Sequence, residues 1–188
     1  MTQVKPLAAI RYSQGVDVDP AFDTFVDKLR KLGLRPAGFL QRQEPDGPGC
    51  CPISHLEDLV SGTNIRITQP LGSGSTGCRL DPGALANAAE CVTRQLDDRP
   101  DLLILNRFGR GEAEGRGFRP AIERAVDLGI PVLTAVKDRY MPAWQEFSVD
   151  LAEELAADPQ HMLAWLLPQL RRVPDLLMAL DVLRGPTQ

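Results

Sequence analysis

The chain has 188 residues, of which 43% are hydrophobic, and a formal net charge of −4. This length is enough for one domain with a sizeable core, and the apolar content argues against a disordered chain. The acidic balance provides no global positive field that would favour nucleic acid. We therefore expect one domain over residues 1–188 and no nucleic-acid partner.

The sequence indicates neither a signal segment nor a membrane span. The N-terminus lacks a basic segment followed by an apolar one, and no apolar run reaches the roughly 18 residues that suggest a span. We expect a cytoplasmic protein without stable membrane insertion. The four cysteines, Cys50, Cys51, Cys78 and Cys91, should then be reduced thiols, and none forms a CxxC pair. No metal site is predicted, and a soft metal held by Cys51 and Cys78 is the alternative.

The first elements predict a β–α–β unit. Residues 7–10 form an apolar run typical of a strand, and the polar residues after it predict a loop. Asp19 is the predicted N-cap of a helix with Pro20 in its first turn, and Gly33 is the predicted stop. Residues 36–40 predict a second strand, which should run parallel to the first.

The middle of the chain predicts a hairpin and a glycine-rich loop. A loop is expected at 43–52, and strands at 56–60 and 65–68 flank the turn residues Ser61-Gly62-Thr63-Asn64. Residues 70–79 contain too many glycines for a regular element. Asp81 and Pro82 then repeat the cap-plus-proline pattern and open a helix to about Leu96.

Two continuous apolar runs, 102–105 and 130–136, predict buried parallel strands. A loop at 106–117 and a helix ending at Gly129 lie between them. Residues 142–183 predict helix interrupted by prolines. The fold class is therefore α/β, with three layers, a mostly parallel sheet, a small β-hairpin insertion and C-terminal helices.

Four motifs resemble those of small P-loop nucleoside-triphosphatases. They are the "KxGxxxxGF" strand at 31–39, the "DLxxG" hairpin at 58–62, the "GK-E" loop at 108–112 and the "PVLxxV" strand at 131–136. Residues 67–85 and 106–110 are more similar to an uncharacterised bacterial family within that group, often encoded beside molybdate-transport genes. The resemblance implies a fold of the P-loop NTPase type and a role in molybdenum metabolism.

The chain departs from this group where nucleotide and Mg²⁺ would bind. A Walker A loop needs GxxxxGK followed by Ser or Thr, whereas residues 12–20 contain no lysine and no second glycine. Asp17 and Asp19 are expected to occupy the phosphate position and to satisfy the helix N-terminus themselves. The apolar strand at 102–105, which corresponds to the Walker B strand of the group, is followed by Asn106 and Arg107 instead of a carboxylate. We therefore expect no ATP hydrolysis.

Three segments are candidate anion-binding sites. The first is the 72–79 loop, where closely spaced backbone N–H groups, hydroxyls and a guanidinium suit an oxyanion. The second follows a central strand at the sheet edge where α/β folds bind ligands, and the third ends the first strand. The candidate residues are Gly72, Ser73, Gly74, Ser75, Thr76, Gly77, Cys78 and Arg79; Asn106, Arg107 and Arg110; and Arg11, Ser13 and Gln14.

Each candidate has an ordinary alternative. The 72–79 loop can be an exposed flexible loop, and the third segment an ordinary turn. Arg107 and Arg110 can pair with Glu112 and Glu114 at the surface. His55 and His161 are expected to have structural roles. The residues Trp144, Phe147, Leu151 and Leu155 are helically spaced and predict core or interface.

Two leucine-rich stripes in the C-terminal region predict a homodimer. They consist of Leu163, Leu166, Leu167 and Leu170, and of Leu176, Leu177, Leu180 and Leu183. One covering helix needs only one such stripe, although both can pack on the domain's own sheet.

The expected function is binding of a small oxyanion, molybdate or tungstate, without catalytic residues and without a resident cofactor. An enzyme with an atypical phosphate site is one alternative. A non-catalytic scaffold that presents its C-terminal helices to a partner is another.

Overall fold

The computed structural model describes residues 4–44, 52–69 and 79–170. The strands are β1 (Leu7–Tyr12), β2 (Pro36–Glu44), β3 (Ile53–Asp58), β4 (Asn64–Arg66), β5 (Thr68–Gln69), β6 (Arg79–Leu80), β7 (Leu102–Phe108), β8 (Val132–Lys137) and β9 (Ala152–Leu155). The helices are α1 (Asp19–Lys31), α2 (Pro82–Asp97), α3 (Arg110–Ala113), α4 (Arg119–Asp127), α5 (Met141–Ser148) and α6 (Pro159–Leu166). None of the helices in these ranges is both long and apolar enough to cross a membrane.

The main sheet has the strand order β4-β3-β2-β7-β8-β1-β9 in the described ranges. Strands β2, β7, β8, β1 and β9 run parallel, whereas β3 and β4 add an antiparallel hairpin at one edge. β5 and β6 form a separate two-stranded ribbon. The predicted α/β class, with its mostly parallel sheet and hairpin insertion, is confirmed.

Helices cover both faces of the sheet, which makes three layers. Alternate residues of β1 divide between the two cores: Ala8 and Ile10 pack in the core beneath α1 and α6, and Leu7 and Ala9 pack on the other face. The α1 face buries large aromatic residues such as Phe22 and Phe25, each fully shielded from solvent. Burial of one such side chain contributes about 1.5–3 kcal/mol to folding.

The predicted helix start at Asp81 is confirmed, and Gly38 of the "KxGxxxxGF" strand has a structural reason. Asp81 caps α2, because its carboxylate accepts hydrogen bonds from the backbone N–H groups of Gly83 at 2.8 Å and Ala84 at 3.0 Å. Gly38 has a φ of +101°, and a Cβ there would lie 2.1 Å from the carbonyl oxygen of Ile104. Only glycine permits this close approach of β2 to β7.

The strands extend further toward their carboxyl ends than the apolar runs predicted. β1 continues through Tyr12, and β7 continues through Phe108. Arg11, Asn106 and Arg107 therefore lie in strands, where loops were predicted. Polar residues end these strands because the backbone pairing with neighbouring strands continues past the apolar segment, as in the pairs Arg11–Val136 and Tyr12–Lys137.

The prediction of helix throughout 142–183 was wrong. After α5, Val149 has a φ of 47° and ends the helix, and Ala152–Leu155 form β9, which pairs parallel with β1. Strand pairing overrides the helix propensity of the Ala-Glu-Glu-Leu segment. Of the residues predicted as core or interface, Trp144 is buried, but Leu151 is 45% exposed.

The first leucine stripe packs inside the domain. Leu163, Leu166 and Leu170 are at most 7% exposed and belong to the core beneath α1. The alternative of packing on the domain's own sheet is therefore confirmed for this stripe. Residues 176–183 lie outside the described ranges, and the dimer stays a prediction.

Candidate functional site

The carboxyl ends of β1, β7 and β8 meet the beginning of α1 at one edge of the sheet. This edge is the usual ligand-binding position of an open α/β sheet, and a helix N-terminus favours anions there. We call the ends of these three strands, together with the first turn of α1, the carboxyl edge.

The Asp19 carboxylate is the anion at this helix start. Its Oδ1 accepts a hydrogen bond from Arg107 Nη2 at 2.6 Å and another from Asn106 Nδ2 at 3.0 Å. The prediction of Asp19 as N-cap was wrong, because Asp19 is the first residue of α1 and Val18 precedes it as cap. Asp17 satisfies the helix instead, since its carboxylate accepts the backbone N–H of Asp19 at 3.0 Å.

Asn106 fixes the position of this contact. The side chain is 2% exposed, and its Oδ1 accepts the backbone N–H of Gln41 at 2.5 Å. Its Nδ2 also donates to the carbonyl oxygen of Gln41 at 3.2 Å. The amide therefore ties β7 to β2 and holds one N–H toward Asp19.

Arg107 lies against Tyr12, the last residue of β1. The guanidinium carbon is 5.4 Å from the centroid of the Tyr12 ring, and Nη1 donates to the carbonyl oxygen of Asn106 at 2.7 Å. Lys137 approaches the same ring, with Nζ 5.8 Å from the centroid. Burial raises the pKa of Tyr12 above its usual range, with a smaller opposing effect from Arg107.

Sequence reasoning missed Lys137. The signal that could have identified it is its position at the end of the "PVLxxV" strand. Parallel strands end at the same edge, so the residue that ends this strand is a neighbour of Tyr12, as the β1–β8 register shows.

Arg11 and Ser13 meet a carboxylate in the folded chain. Arg11 Nε lies 2.6 Å from one oxygen of Asp138, and the Ser13 hydroxyl donates to the other at 2.6 Å. The Ser13 hydrogen bond, followed by Arg11, lowers the pKa of Asp138. Gln14 is exposed. The structure thus brings Arg11 and Ser13 together around the carboxylate of Asp138.

Arg110 pairs with Glu114 at 2.6 Å, with its own side chain 81% exposed. Arg116 also contacts Glu114, and these hydrogen bonds, that of Arg110 first, lower the pKa of Glu114. The surface-pairing alternative is therefore confirmed for Arg110 with Glu114. It was wrong for Glu112, which is buried and accepts the backbone N–H groups of Gly109 and Phe118, each at 2.9 Å.

Residues 7–165 match the family described as "Protein of unknown function (DUF2478)". The chain belongs to the DUF2478 family. The uncharacterised bacterial family that the sequence motifs resemble is thus supported, and the association with molybdate-transport genes stays an expectation.

One curated relative carries a metabolic name. The chain is 38% identical over 159 residues to "Molybdenum import ATP-binding protein ModC 2" of Bradyrhizobium diazoefficiens. The match covers 85% of this DUF2478 chain but only 18% of the relative. More than four fifths of that protein therefore lies outside the match.

Two solved structures share the fold. THEP1 from Aquifex aeolicus superposes with a TM-score of 0.56 at 18% identity, over 88% of this chain and 99% of that one. A human cancer-related nucleoside triphosphatase gives a TM-score of 0.58 at 13% identity, over 96% and 100%. The DUF2478 chain therefore has a P-loop NTPase-like fold.

In this DUF2478 chain, the glycine-rich segment 70–78 lies between β5 and β6, which pair with each other. The residues that should supply its donors, Gly72 to Cys78, lie outside the described ranges. β5 and β6 pair Gln69 with Arg79, and the Thr68 hydroxyl accepts the backbone N–H of Ser54 at 3.1 Å. Ser54 in turn pairs with Gln43 near the carboxyl end of β2. The base of the loop is thus on the sheet side where the carboxyl edge lies.

Each of the two histidines lies near a carboxylate, but His55 Nε2 is buried without a hydrogen-bond partner among the described residues. His55 Nε2 is 3.4 Å from a carboxylate oxygen of Glu44, and His161 Nδ1 is 3.1 Å from Asp158. Burial raises the pKa of Cys91, which lies in α2. Within the described ranges, no three His, Cys, Asp or Glu side chains converge as a metal site. Cys50, Cys51 and Cys78 lie outside these ranges.

Proposed function

We propose that this chain binds a small tetrahedral oxyanion, molybdate or tungstate, and does so without hydrolysing nucleotide. The printed name of the relative concerns molybdenum import, and the two chains are 38% identical over the matched region. This likeness supports the choice of metal oxyanion. We place the ligand at the carboxyl edge, because open α/β sheets bind ligands outside the carboxyl ends of their strands.

The observation that carries this proposal is the position of the Asp19 carboxylate. It is an oxyanion of the protein itself, held by an amide and a guanidinium at the first turn of α1. This arrangement supports the proposal that the carboxyl edge binds negatively charged oxygen atoms. The lysine of a Walker A phosphate-binding loop is missing from residues 12–20.

The ligand would lie where the 72–79 loop meets the 106–110 segment. Arg79, Arg107 and Arg110 would provide charge, and the loop hydroxyls and N–H groups would donate. Arg110 can exchange partners because its bond to Glu114 is a solvent-exposed pair of low net stability. A charge-assisted hydrogen bond contributes about 1.5–3 kcal/mol, so a few support micromolar binding at about −8 kcal/mol.

A nucleotide-dependent enzyme is the second candidate. The relative's printed name also contains "ATP-binding", and the fold neighbours include a nucleoside triphosphatase. Against it stand the missing lysine and the Asn106–Arg107 pair at the strand end where a metal-binding carboxylate is needed.

Calorimetry with molybdate, tungstate, sulfate and phosphate tests the proposal. We expect molybdate and tungstate to bind the wild type, and Arg79→Ala to weaken that binding. Arg94→Ala is the control, because it removes the same side chain at an exposed position of α2, where Arg94 pairs with Glu90. Absence of binding by all four anions, or equal binding by Arg79→Ala, contradicts the proposal. Mg²⁺-dependent ATP or GTP turnover that Arg110→Ala abolishes would favour the second candidate.

A further inference from the structure

A cavity of about 210 Å³ lies where β2, β7 and β8 begin, at the opposite end of the strands from the carboxyl edge. Arg35 and Asp101 line it directly before β2 and β7, and Arg99 lines it just after the end of α2. Leu128 and Ile130 belong to its apolar walls. Small-molecule sites combine apolar walls with a few polar groups in this way, and guanidinium groups are suited to carboxylates.

Arg99 has a backbone conformation that arginine rarely adopts. Its φ is 51°, in the left-handed region where glycine or asparagine usually follows a helix. One reason for a side chain at this position is structural, since Arg99 Nη1 donates to the carbonyl oxygen of Leu128 at 3.0 Å. That bond uses one of the five N–H donors of the guanidinium. Arg99 forms no ion pair with a carboxylate of the described residues, so donors remain for a ligand.

Arg35 and Asp101 hold each other through the backbone. The carboxylate of Asp101 accepts the backbone N–H of Arg35 at 2.8 Å, whereas Arg35 Nε lies 3.9 Å from it, beyond hydrogen-bond distance. Arg35 Nη2 donates to the carbonyl oxygen of Arg99 at 3.0 Å, which leaves other N–H groups of Arg35 available. The two arginines and the one aspartate together carry one net positive charge, which a single carboxylate group neutralises.

The volume and the charge of the cavity define the class of ligand. A cavity of roughly 150 Å³ holds benzene. The 210 Å³ found here therefore has space for a ring or a branched chain of similar size that carries a carboxylate. Pockets for larger, drug-sized ligands measure roughly 300–1,000 Å³, and a dianion would exceed the single positive charge.

We propose that this cavity binds a small apolar monocarboxylate. The guanidinium groups of Arg35 and Arg99 bind the carboxylate, and the walls that include Leu128 and Ile130 surround the apolar part. The site is separate from the carboxyl edge and does not depend on the proposed function. A ligand contact also gives a reason for arginine at a backbone position that favours glycine.

Benzoate is the probe, measured by NMR titration of the full chain. We expect the wild type to bind it with a Kd on the order of 1 mM, as for a small ligand of few atoms. Arg99→Gly should weaken binding at least about tenfold, because the guanidinium is lost. Glycine suits a φ of 51°, so this variant should remain folded.

Val149→Gly is the matched control. Val149, with a φ of 47°, is the other non-glycine residue of positive φ in the described ranges, and it does not line the cavity. The same relief of backbone strain should therefore leave the affinity for benzoate unchanged. Benzamide, which has the same ring without the negative charge, should bind the wild type at least about tenfold more weakly than benzoate.

The outcomes decide both the ligand class and the location. Absence of benzoate binding, or equal binding of benzamide, overturns the site, as does equal binding by folded Arg99→Gly or an equal loss in Val149→Gly. If Arg99→Gly unfolds in a thermal melt, Arg99→Gln replaces it under the same criterion. An excess of molybdate should leave benzoate binding unchanged, and competition between the two would place benzoate outside this cavity and overturn the assignment.

Discussion

Arginines lie at the carboxyl edge and also at the opposite, amino-terminal ends of the strands, which we call the amino edge. The groups that these arginines bind differ between the two edges. At the amino edge, Arg35 donates to the carbonyl oxygen of Arg99, and Arg99 donates to that of Leu128, each at 3.0 Å. These arginines satisfy the carbonyl groups that helices leave unpaired at their ends. At the carboxyl edge, the arginines meet side-chain carboxylates and a tyrosine.

The cavity beside Arg35 and Arg99 lies at the amino edge, where β2, β7 and β8 begin. It measures about 210 Å³ and is lined by Arg35, Arg99, Asp101 and Leu170, among others. Its arginines already donate to backbone carbonyls, and Asp101 accepts the backbone N–H of Arg35 at 2.8 Å. At the carboxyl edge, Lys137 forms no ion pair with a described carboxylate, and its Nζ lies 5.8 Å from the centroid of the Tyr12 ring. The two edges therefore differ in whether their cations already have partners.

Among these variants, Asn106→Ala should have the largest effect, a loss of stability at the carboxyl edge. It leaves the backbone N–H and carbonyl of Gln41 without their partner at a buried position, where each lost partner costs about 1–3 kcal/mol. We expect the free energy of unfolding to fall by about 2–4 kcal/mol in urea denaturation. Asn64→Ala, at an exposed strand end, is the control. Equal stability of the two variants would contradict the role of Asn106 in joining β7 to β2.

Lys137→Gln should separate ligand binding from stability. We expect oxyanion affinity to fall about tenfold, which corresponds to the loss of one charge-assisted hydrogen bond of about 1.5 kcal/mol. The free energy of unfolding should change by less than about 0.5 kcal/mol, because Lys137 forms no ion pair within the part of the chain that the structure describes. Arg35→Gln at the amino edge should leave affinity unchanged. If Arg35→Gln lowers the affinity for the oxyanion as much as Lys137→Gln does, the proposed difference between the two edges is wrong.

Arg35→Ala should have the complementary effect at the amino edge. Losing its bond to the Arg99 carbonyl should lower the free energy of unfolding by about 0.5–1.5 kcal/mol and leave oxyanion binding intact. Thermal melts and calorimetry on the same preparation measure both quantities. A loss of anion affinity without a loss of stability would reverse the roles of the two edges.

The smallest expected effect is a pH dependence of the Asp138 contacts. Its pKa is lower in the folded chain than the usual value of about 3.9, so its stabilising contribution is present above that value. The contribution is lost as the pH falls through the lower folded value. Asp138→Asn should therefore flatten the stability profile only in this acidic range. An unchanged profile in acid unfolding would show that the exposed pair with Arg11 contributes nothing.

The fold was predictable because its signals are local. Buried parallel strands are continuous apolar runs, and Asp81 with Pro82 marks a helix start regardless of tertiary contacts. β9 was not predictable, since Ala152–Leu155 is strand only through pairing with β1. A helix pattern in the sequence carries no information on such a long-range partner.

The site was predictable in position but not in its pairing. The Asn106–Arg107 segment was placed at the ligand edge from the order of strands alone. That Arg107 pairs with Asp19, a residue 88 positions away in the chain, depends on how α1 packs across the sheet. Sequence spacing identified Glu114 as a possible partner of Arg110, but it did not identify Asp138 for Arg11 or Asp19 for Arg107, because it shows which charges exist and not which distant ones meet.

The edge strand β9 has a consequence for how copies of this chain meet. An edge strand exposes unpaired backbone groups that can recruit a strand of another molecule. Glu153 and Glu154 are both exposed on β9 and lie on opposite faces of the sheet. A second β9 added there would bring glutamates of two copies into cross-strand proximity, where like charges repel. Within the described ranges, where β9 is the last strand of the sheet, this acidic pair would therefore disfavour strand-to-strand aggregation.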